Sequence, residues 1–273
     1  MKLLNYKLNK KFCLITGAAG LLGYEHACAI LEAEGDVVLT DVDNKKLIRT
    51  YKKLKSRFDS QKILYYEMDV SNLESIKYVL KKLKKKKIKI KILINNAAID
   101  SKISKNNNFS NNFKFENFSL EVWNKEIQVG LTGAMLCSKV FGNEMKNGGG
   151  VILNIASDLS VIAPNQSIYK NKSEKNHNVK PVTYSVVKHG LIGLTKYLAT
   201  YWPKNKIRCN ALSPGGVLNN QGKEFLSKVN SQIPLNRLAN KNEYKAAVQF
   251  LCSDASSYMT GQNLIIDGGR SIW

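Results

Sequence analysis

Lys11-Phe-Cys-Leu-Ile-Thr-Gly-Ala-Ala-Gly-Leu-Leu-Gly23 decides the fold. Its first six residues are a short apolar run of the kind buried in a parallel sheet. Glycines then recur at Gly17, Gly20 and Gly23, and from Leu22 the apolar residues Ala27, Ile30 and Leu31 fall at helical spacing, with Gly35 as the expected stop. A strand that runs over glycines straight into a helix opens a βαβ unit. Glycine there lets the backbone pass close to a pyrophosphate, and the helix N-terminus offers free amides and a positive dipole end. A tight turn with no ligand would carry the same glycines, so other residues must separate the two readings.

Asp41 does so. It closes the second apolar run, Asp36-Val-Val-Leu-Thr-Asp41, about twenty residues after the turn, where a carboxylate accepts both hydroxyls of an adenine ribose. It would repel a 2′-phosphate, and its neighbours Thr40 and Val42 carry no charge. NAD is therefore expected over NADP. Further strands are predicted at 63–69, 91–97, 151–155, 207–212 and 264–267. Helices are predicted at 44–58, 72–87, 119–145 and from Pro181 to near Trp202. Strands and helices alternate with no repeat, linker or second core. The expected fold is α/β: a single-domain Rossmann-type doubly wound parallel sheet of about seven strands, helices on both faces, spanning residues 1–273.

The net charge of +21 invites a nucleic-acid reading. The excess is almost all lysine, with five arginines, whereas phosphate and base recognition leans on arginine forks. The densest run, 81–91, lies at a predicted helix end, where the dipole favours lysine. No nucleic-acid partner is expected. No apolar run reaches membrane-span length, and the N-terminus lacks the long apolar stretch of a signal peptide. The cysteines, five in all, form no Cys-x-x-Cys pair, so no metal is expected and a reducing cytoplasm is the simplest setting.

Tyr184 and Lys188 stand four residues apart on the last long helix, so they share a face. A nearby ammonium favours phenolate, and a phenol tuned in this way can exchange a proton with an alcohol or carbonyl near neutral pH. In so lysine-rich a chain the pair alone would read as a solvated face. Its company gives it weight: Asp69-Val70 and Asn95-Asn-Ala-Ala98 close two strands at the edge where ligands bind.

These residues resemble the short-chain dehydrogenase/reductase family across essentially the whole chain. The matches are the glycine turn, Asn95-Asn-Ala-Ala98, Ser157 after the fifth strand, Tyr184 with Lys188, Asn210-Ala-Leu-Ser-Pro-Gly215, and Thr260-Gly-Gln-Asn-Leu-Ile-Ile-Asp-Gly-Gly269. The resemblance implies Tyr184 as general acid/base, Lys188 on the nicotinamide ribose, and Ser157 on the substrate oxygen. It places Pro214 and Gly215 beside the nicotinamide. The cofactor candidates are Gly17, Gly20, Leu22, Gly23, Asp41, Asp69, Val70, Asn96, Ala97, Tyr184, Lys188, Pro214, Gly215 and Val217. A homotetramer or homodimer is implied, with the 119–145 and 183–202 helices as contact surface.

Three departures stand out. Leu21 replaces a usual glycine. Ser157 and Tyr184 lie 27 residues apart, about twice the usual interval. Tyr169 has the more usual spacing but lacks a lysine four residues on, so Tyr184 is assigned and about 168–181 is read as an insertion. Gly130 stands where the family carries an asparagine that holds a water leading to the lysine. A side-chain-sized gap with an ordered water and a local helix bend is expected there, able to accept Gly130→Asn.

A second polar insertion is read near 101–117. Both carry lysines, among them Lys102, Lys105, Lys114, Lys170, Lys172 and Lys175. A small polar, anionic substrate is expected, such as a sugar or sugar phosphate. The chain also resembles dehydrogenases of flagellin-modification and surface-sugar gene sets. Two other readings remain open: a 3-oxoacyl-carrier-protein reductase, and a non-catalytic NAD-binding regulatory or scaffold protein.

Overall fold

A computed structural model of the chain describes residues 6–99, 113–170 and 179–273. Seven strands form one sheet: β1 (Phe12–Thr16), β2 (Asp36–Asp41), β3 (Ile63–Glu67), β4 (Ile90–Asn95), β5 (Gly150–Ile155), β6 (Ile207–Pro214) and β7 (Asn263–Ile266). Their order is β3-β2-β1-β4-β5-β6-β7, and every neighbouring pair is parallel. The chain works outward from β1 to β3, then returns to β4 on the other side of β1. This reversal opens a crevice beyond the carboxyl ends of β1 and β4, where ligands bind in open α/β sheets.

Among the described residues, eight α-helices cover the sheet: α1 (Leu21–Glu32), α2 (Asn44–Lys55), α3 (Leu73–Lys85), α4 (Leu120–Ile127), α5 (Gly133–Met145), α6 (Val182–Tyr201), α7 (Lys223–Asn230) and α8 (Lys245–Cys252). Alternate residues of each central strand face opposite layers, as the period of two requires. Cys13 and Ile15 of β1 join α1 and α8 in one buried cluster, and Leu14 joins α3 and α5 in the other. None of the described helices is long and apolar enough to cross a membrane.

Boundaries moved where side chains offered local caps. Asn72 accepts from the amides of Glu74 and Ser75, so α3 starts one residue later than expected. Ser119 caps α4 by accepting from Glu121 N, as expected of it. The expected helix stop at Gly35 falls on Glu34, which takes the left-handed conformation at φ 62°. Gly35 serves close packing, since a Cβ there would lie 2.7 Å from Ile30 Cγ2. The long 119–145 helix divides at a π-helical turn, Gln128–Thr132, with Gly130 at its centre. Helices α7 and α8 were not predicted: eight residues each are too few for a 3.6-residue period to stand out. Of the two insertions, 101–112 and 171–178 lie outside the described residues.

Candidate active site

The glycine turn leaves no room for side chains. Gly17 adopts φ +62°, and a Cβ on it would come 2.9 Å from Ala97 Cα. A Cβ on Gly23 would fall 2.2 Å from the Gly17 carbonyl oxygen. Helix α1 starts with no side-chain cap, so its first-turn amides face the crevice without a competing side-chain acceptor. Leu21 is the first helical residue and is 39% exposed, so the turn takes its path without a glycine there. This cradle fits the diphosphate of a dinucleotide.

Asp41 ends β2 beside it. Its carboxylate accepts from Ala19 N and Asp43 N, each at 3.0 Å, which fixes it between the turn and the outer crevice. Lys46, which the sequence reading passed over, lines the same crevice, its ammonium 3.0 Å from Asp43. Across the switch point, Asn96 donates its side-chain amide to the carbonyls of Thr16 and Gly17, both at 3.0 Å, and Thr16 Oγ1 accepts from the Asn96 and Ala97 amides. Thus β4 is stapled to the turn. Asp69 holds its own loop by accepting from Ser71 N and Oγ.

All of the candidates, from Gly17 to Val217, line one cleft of about 1540 Å³. Lys188 is buried, and its ammonium donates to the Ile155 carbonyl at 2.9 Å. That ammonium lies 5.5 Å from the centroid of the Tyr184 ring, as the shared helix face requires. A second ammonium, Lys180, lies 3.8 Å from the same centroid. Gln166 secures it through two reciprocal amide bonds to the Lys180 backbone. Ser157 Oγ donates to Asp158 Oδ1 at 2.7 Å and accepts from Leu159 N, and Asp158 is paired with Arg270 at 2.8 Å. Tyr169 also lines the cleft but packs its ring against Phe225, 5.7 Å between centroids.

The side-chain-sized gap expected beside Gly130 is not there; the space that remains is a cavity of about 10 Å³. Val187 covers the glycine, its Cγ1 2.7 Å from where a Cβ would stand, so an asparagine cannot enter without displacing it. The bend expected there takes the form of the π-helical turn. Sequence reasoning also missed a buried chain from Asn95 Nδ2 to Asn154 Oδ1, then from Asn154 Nδ2 to Thr195 Oγ1, both 2.8 Å, which ties β4 and β5 to α6 behind Lys188. Among the described residues, no group of three or more His, Cys, Asp or Glu is placed to hold a metal ion.

His26 lies fully buried on α1, just behind the cradle. Neither ring nitrogen makes a hydrogen bond of normal geometry, and a weak pull from the Asn96 side chain does not offset burial, which pushes it down to about 4. The unfolded chain takes up this proton near the ordinary value of 6.5, and the folded one resists it. Stability is complete above that value and falls with pH toward 4, by up to about 3 kcal/mol. Urea midpoints measured between these limits should fall less steeply in His26→Leu than in the wild type. Parallel slopes would show that His26 does not carry the effect.

A crevice built for a dinucleotide, with a tyrosine, a lysine and a serine at its inner end, defines a nucleotide-dependent oxidoreductase. The family model described as enoyl-(acyl carrier protein) reductase matches residues 17–271. The chain belongs to the short-chain dehydrogenase/reductase family and is an NAD(P)-dependent oxidoreductase acting between alcohol and carbonyl. It is 31% identical to the NAD-dependent glycerol dehydrogenase of Listeria innocua, over 98% of this chain and 96% of that protein. It is 30% identical to the 3-oxoacyl-[acyl-carrier-protein] reductase of Thermotoga maritima, over 97% and 100%. Among solved structures it is similar to a short-chain dehydrogenase from Leptospira borgpetersenii with bound NAD+. That match has TM-score 0.81 and 32% identity, covering 100% of this chain and 98% of the other.

Proposed function

We propose that the protein interconverts an alcohol and a carbonyl on a small, polar, anionic substrate of the sugar or sugar-phosphate type, with NAD(H). The observation that carries this reading is Lys180, whose ammonium lies 3.8 Å from the centroid of the Tyr184 ring and whose backbone is clamped by the Gln166 side-chain amide. A cation at the reacting end of the cleft is suited to a carboxylate or phosphate on the substrate. The bound nicotinamide supplies the hydride chemistry. Tyr184 takes the hydroxyl proton in oxidation and returns it in reduction. Lys188 holds the nicotinamide ribose and favours the phenolate. Ser157 turns its hydroxyl from Asp158 to the substrate oxygen. Gly17, Gly20, Leu22 and Gly23 carry the diphosphate, Asp41 the adenine ribose, Asp69 and Val70 the adenine. Asn96, Ala97, Pro214, Gly215 and Val217 border the nicotinamide half.

NAD is the expected cofactor because the Asp41 carboxylate would face a 2′-phosphate. Calorimetry should show much tighter binding of NAD than NADP, and Asp41→Ala should relax the preference. Equal wild-type affinities would defeat it, and would point to Lys46 as the 2′-phosphate partner. Turnover of a panel of sugar phosphates, neutral polyols and 3-oxoacyl thioesters then tests the substrate class. Activity confined to the thioesters would favour the carrier-protein reductase reading, which the Thermotoga relative supports.

The assembly is a homodimer or homotetramer in this reading, supported by exposed apolar residues on α4 to α6: Leu120, Met135, Val186, Tyr197 and Tyr201. Sedimentation at micromolar concentration should show it, and monomer alone would reject it. A cytoplasmic setting is supported by the cysteines, all buried as free thiols, with Cys137, Cys209 and Cys252 pushed up to about 12 by burial.

A further inference from the structure

The one buried side chain of α4 is an acid, Glu126. An amphipathic helix ordinarily turns apolar residues inward, and a carboxylate is taken out of water only where something compensates for it. Part of the compensation is Thr183, whose hydroxyl donates to Glu126 Oε2. The rest of its setting concerns the active site. Glu126 stands four residues before Gly130, one turn earlier on the rod that becomes π-helical at Gln128. A small cavity of about 10 Å³ separates this rod from α6, and its walls include Glu126, Gly130, Thr183, Tyr184, Val187 and Lys188. That is close to the space of a single water. Glycine at 130 leaves no polar side chain of its own between Lys188 and the solvent side, and the glutamate one turn away supplies a polar group to the same space.

We propose that Glu126 is the proton acceptor behind Tyr184 and Lys188, replacing the relay that an asparagine at position 130 would have served. The proposal rests on Tyr184 being the acid/base group. In oxidation the substrate carbon gives up its hydride, with both electrons, to the cofactor, and the hydroxyl proton moves to the Tyr184 phenolate. Tyr184 then passes a proton to Lys188 as the Lys188 ammonium gives one to the Glu126 carboxylate, across the cavity or through one water in it. The Glu126 carboxylic acid releases that proton to solvent. Each group ends as it began, and one proton leaves per alcohol oxidised. In reduction the same sites carry a proton inward. Among the described residues, the charged and titratable groups gathered at this point include Glu126 on α4, Tyr184 and Lys188 on α6, and Lys180, which lies two residues before α6 with its ammonium over the Tyr184 ring. Glu126 acts through Lys188 and is a positioning and relay residue.

Glu126→Gln tests this, because the amide oxygen still accepts from Thr183 while the side chain no longer takes up a proton. Turnover is expected to fall about 10²-fold with KM little changed. Glu126→Ala should be equally slow and should recover in added formate, which the shortened side chain makes room for. A second readout needs no cofactor: titration of the Tyr184 phenolate by ultraviolet absorbance, taken as the difference from Tyr184→Phe. Removing a negative charge from the shared cavity should lower the pH at which Tyr184 ionises by about one unit. Unchanged turnover in folded Glu126→Gln overturns the relay, and so does an unshifted phenolate titration. If the wild-type protein turns over no alcohol or carbonyl with either cofactor, the substrate reading has failed. The titration then still decides whether Glu126 is coupled to Tyr184.

Discussion

Tyr184→Phe is expected to lower turnover by about 10²–10⁴-fold, the range in which positioned proton transfer contributes to catalysis. The variant keeps the ring and its packing between Lys180 and Lys188, and loses only the hydroxyl. Cofactor affinity should therefore stay near the wild-type value, so that the loss falls on kcat. Lys188→Ala should behave differently. Its ammonium serves both the phenol and the cofactor ribose in the proposed arrangement, and it is buried against the Ile155 carbonyl, so kcat, cofactor affinity and folding should all suffer. Tyr169→Phe is the control. Its ring packs at a tilt against Phe225, and losing its hydroxyl should change turnover little. A larger loss in Tyr169→Phe than in Tyr184→Phe, measured as single-turnover rates at saturating cofactor, would reassign the acid/base residue.

Arg270→Ala should destabilise the protein by about 3–5 kcal/mol, because it leaves a buried carboxylate without its partner. The Arg270 and Asp158 side chains are 8% and 4% exposed, 2.8 Å apart. Arg270 also donates to Gln232 Oε1 at 3.2 Å. Asp158 in turn accepts from Ser157 Oγ and Leu159 N, so the pair sets the orientation of the serine at the reacting end of the cleft. The loss should therefore reach beyond stability, to a lower kcat in whatever fraction remains folded. Combining Arg270→Met with Asp158→Asn should recover much of the stability, since no lone charge is then buried. Urea denaturation checks both outcomes. A loss under about 1 kcal/mol in Arg270→Ala would class the pair with weak surface bridges.

The fold was legible because its signals are local. Short apolar runs read as buried parallel strands, and a glycine turn between strand and helix reads the same wherever it stands. Asp41, Tyr184 and Lys188, which line one cleft, could be singled out for the same reason: the end of a strand and a four-residue helical interval give their positions without tertiary knowledge. The helices missed, α7 and α8, are those too short to show a period. At Gly130 the reading failed because a glycine says only that a side chain is missing. The neighbour that takes the space, Val187, lies 57 residues later in sequence and was placed by the packing of α6 on the π-helical turn.

The sequence by itself determined the order of the strands and of the longer helices, the glycine turn between β1 and α1, and the residues that line the carboxyl edge of the sheet. These follow from backbone stereochemistry and from hydrophobic periods of a few residues. Only the tertiary structure decided the partners of those residues. Arg270 reaches Asp158 across 112 positions, Asn154 reaches Thr195 across 41, and Thr183 reaches Glu126 across 57. No local pattern marks such pairs, because a buried polar group needs a partner of the right chemistry at hydrogen-bond distance, and only the packed fold brings distant segments that close.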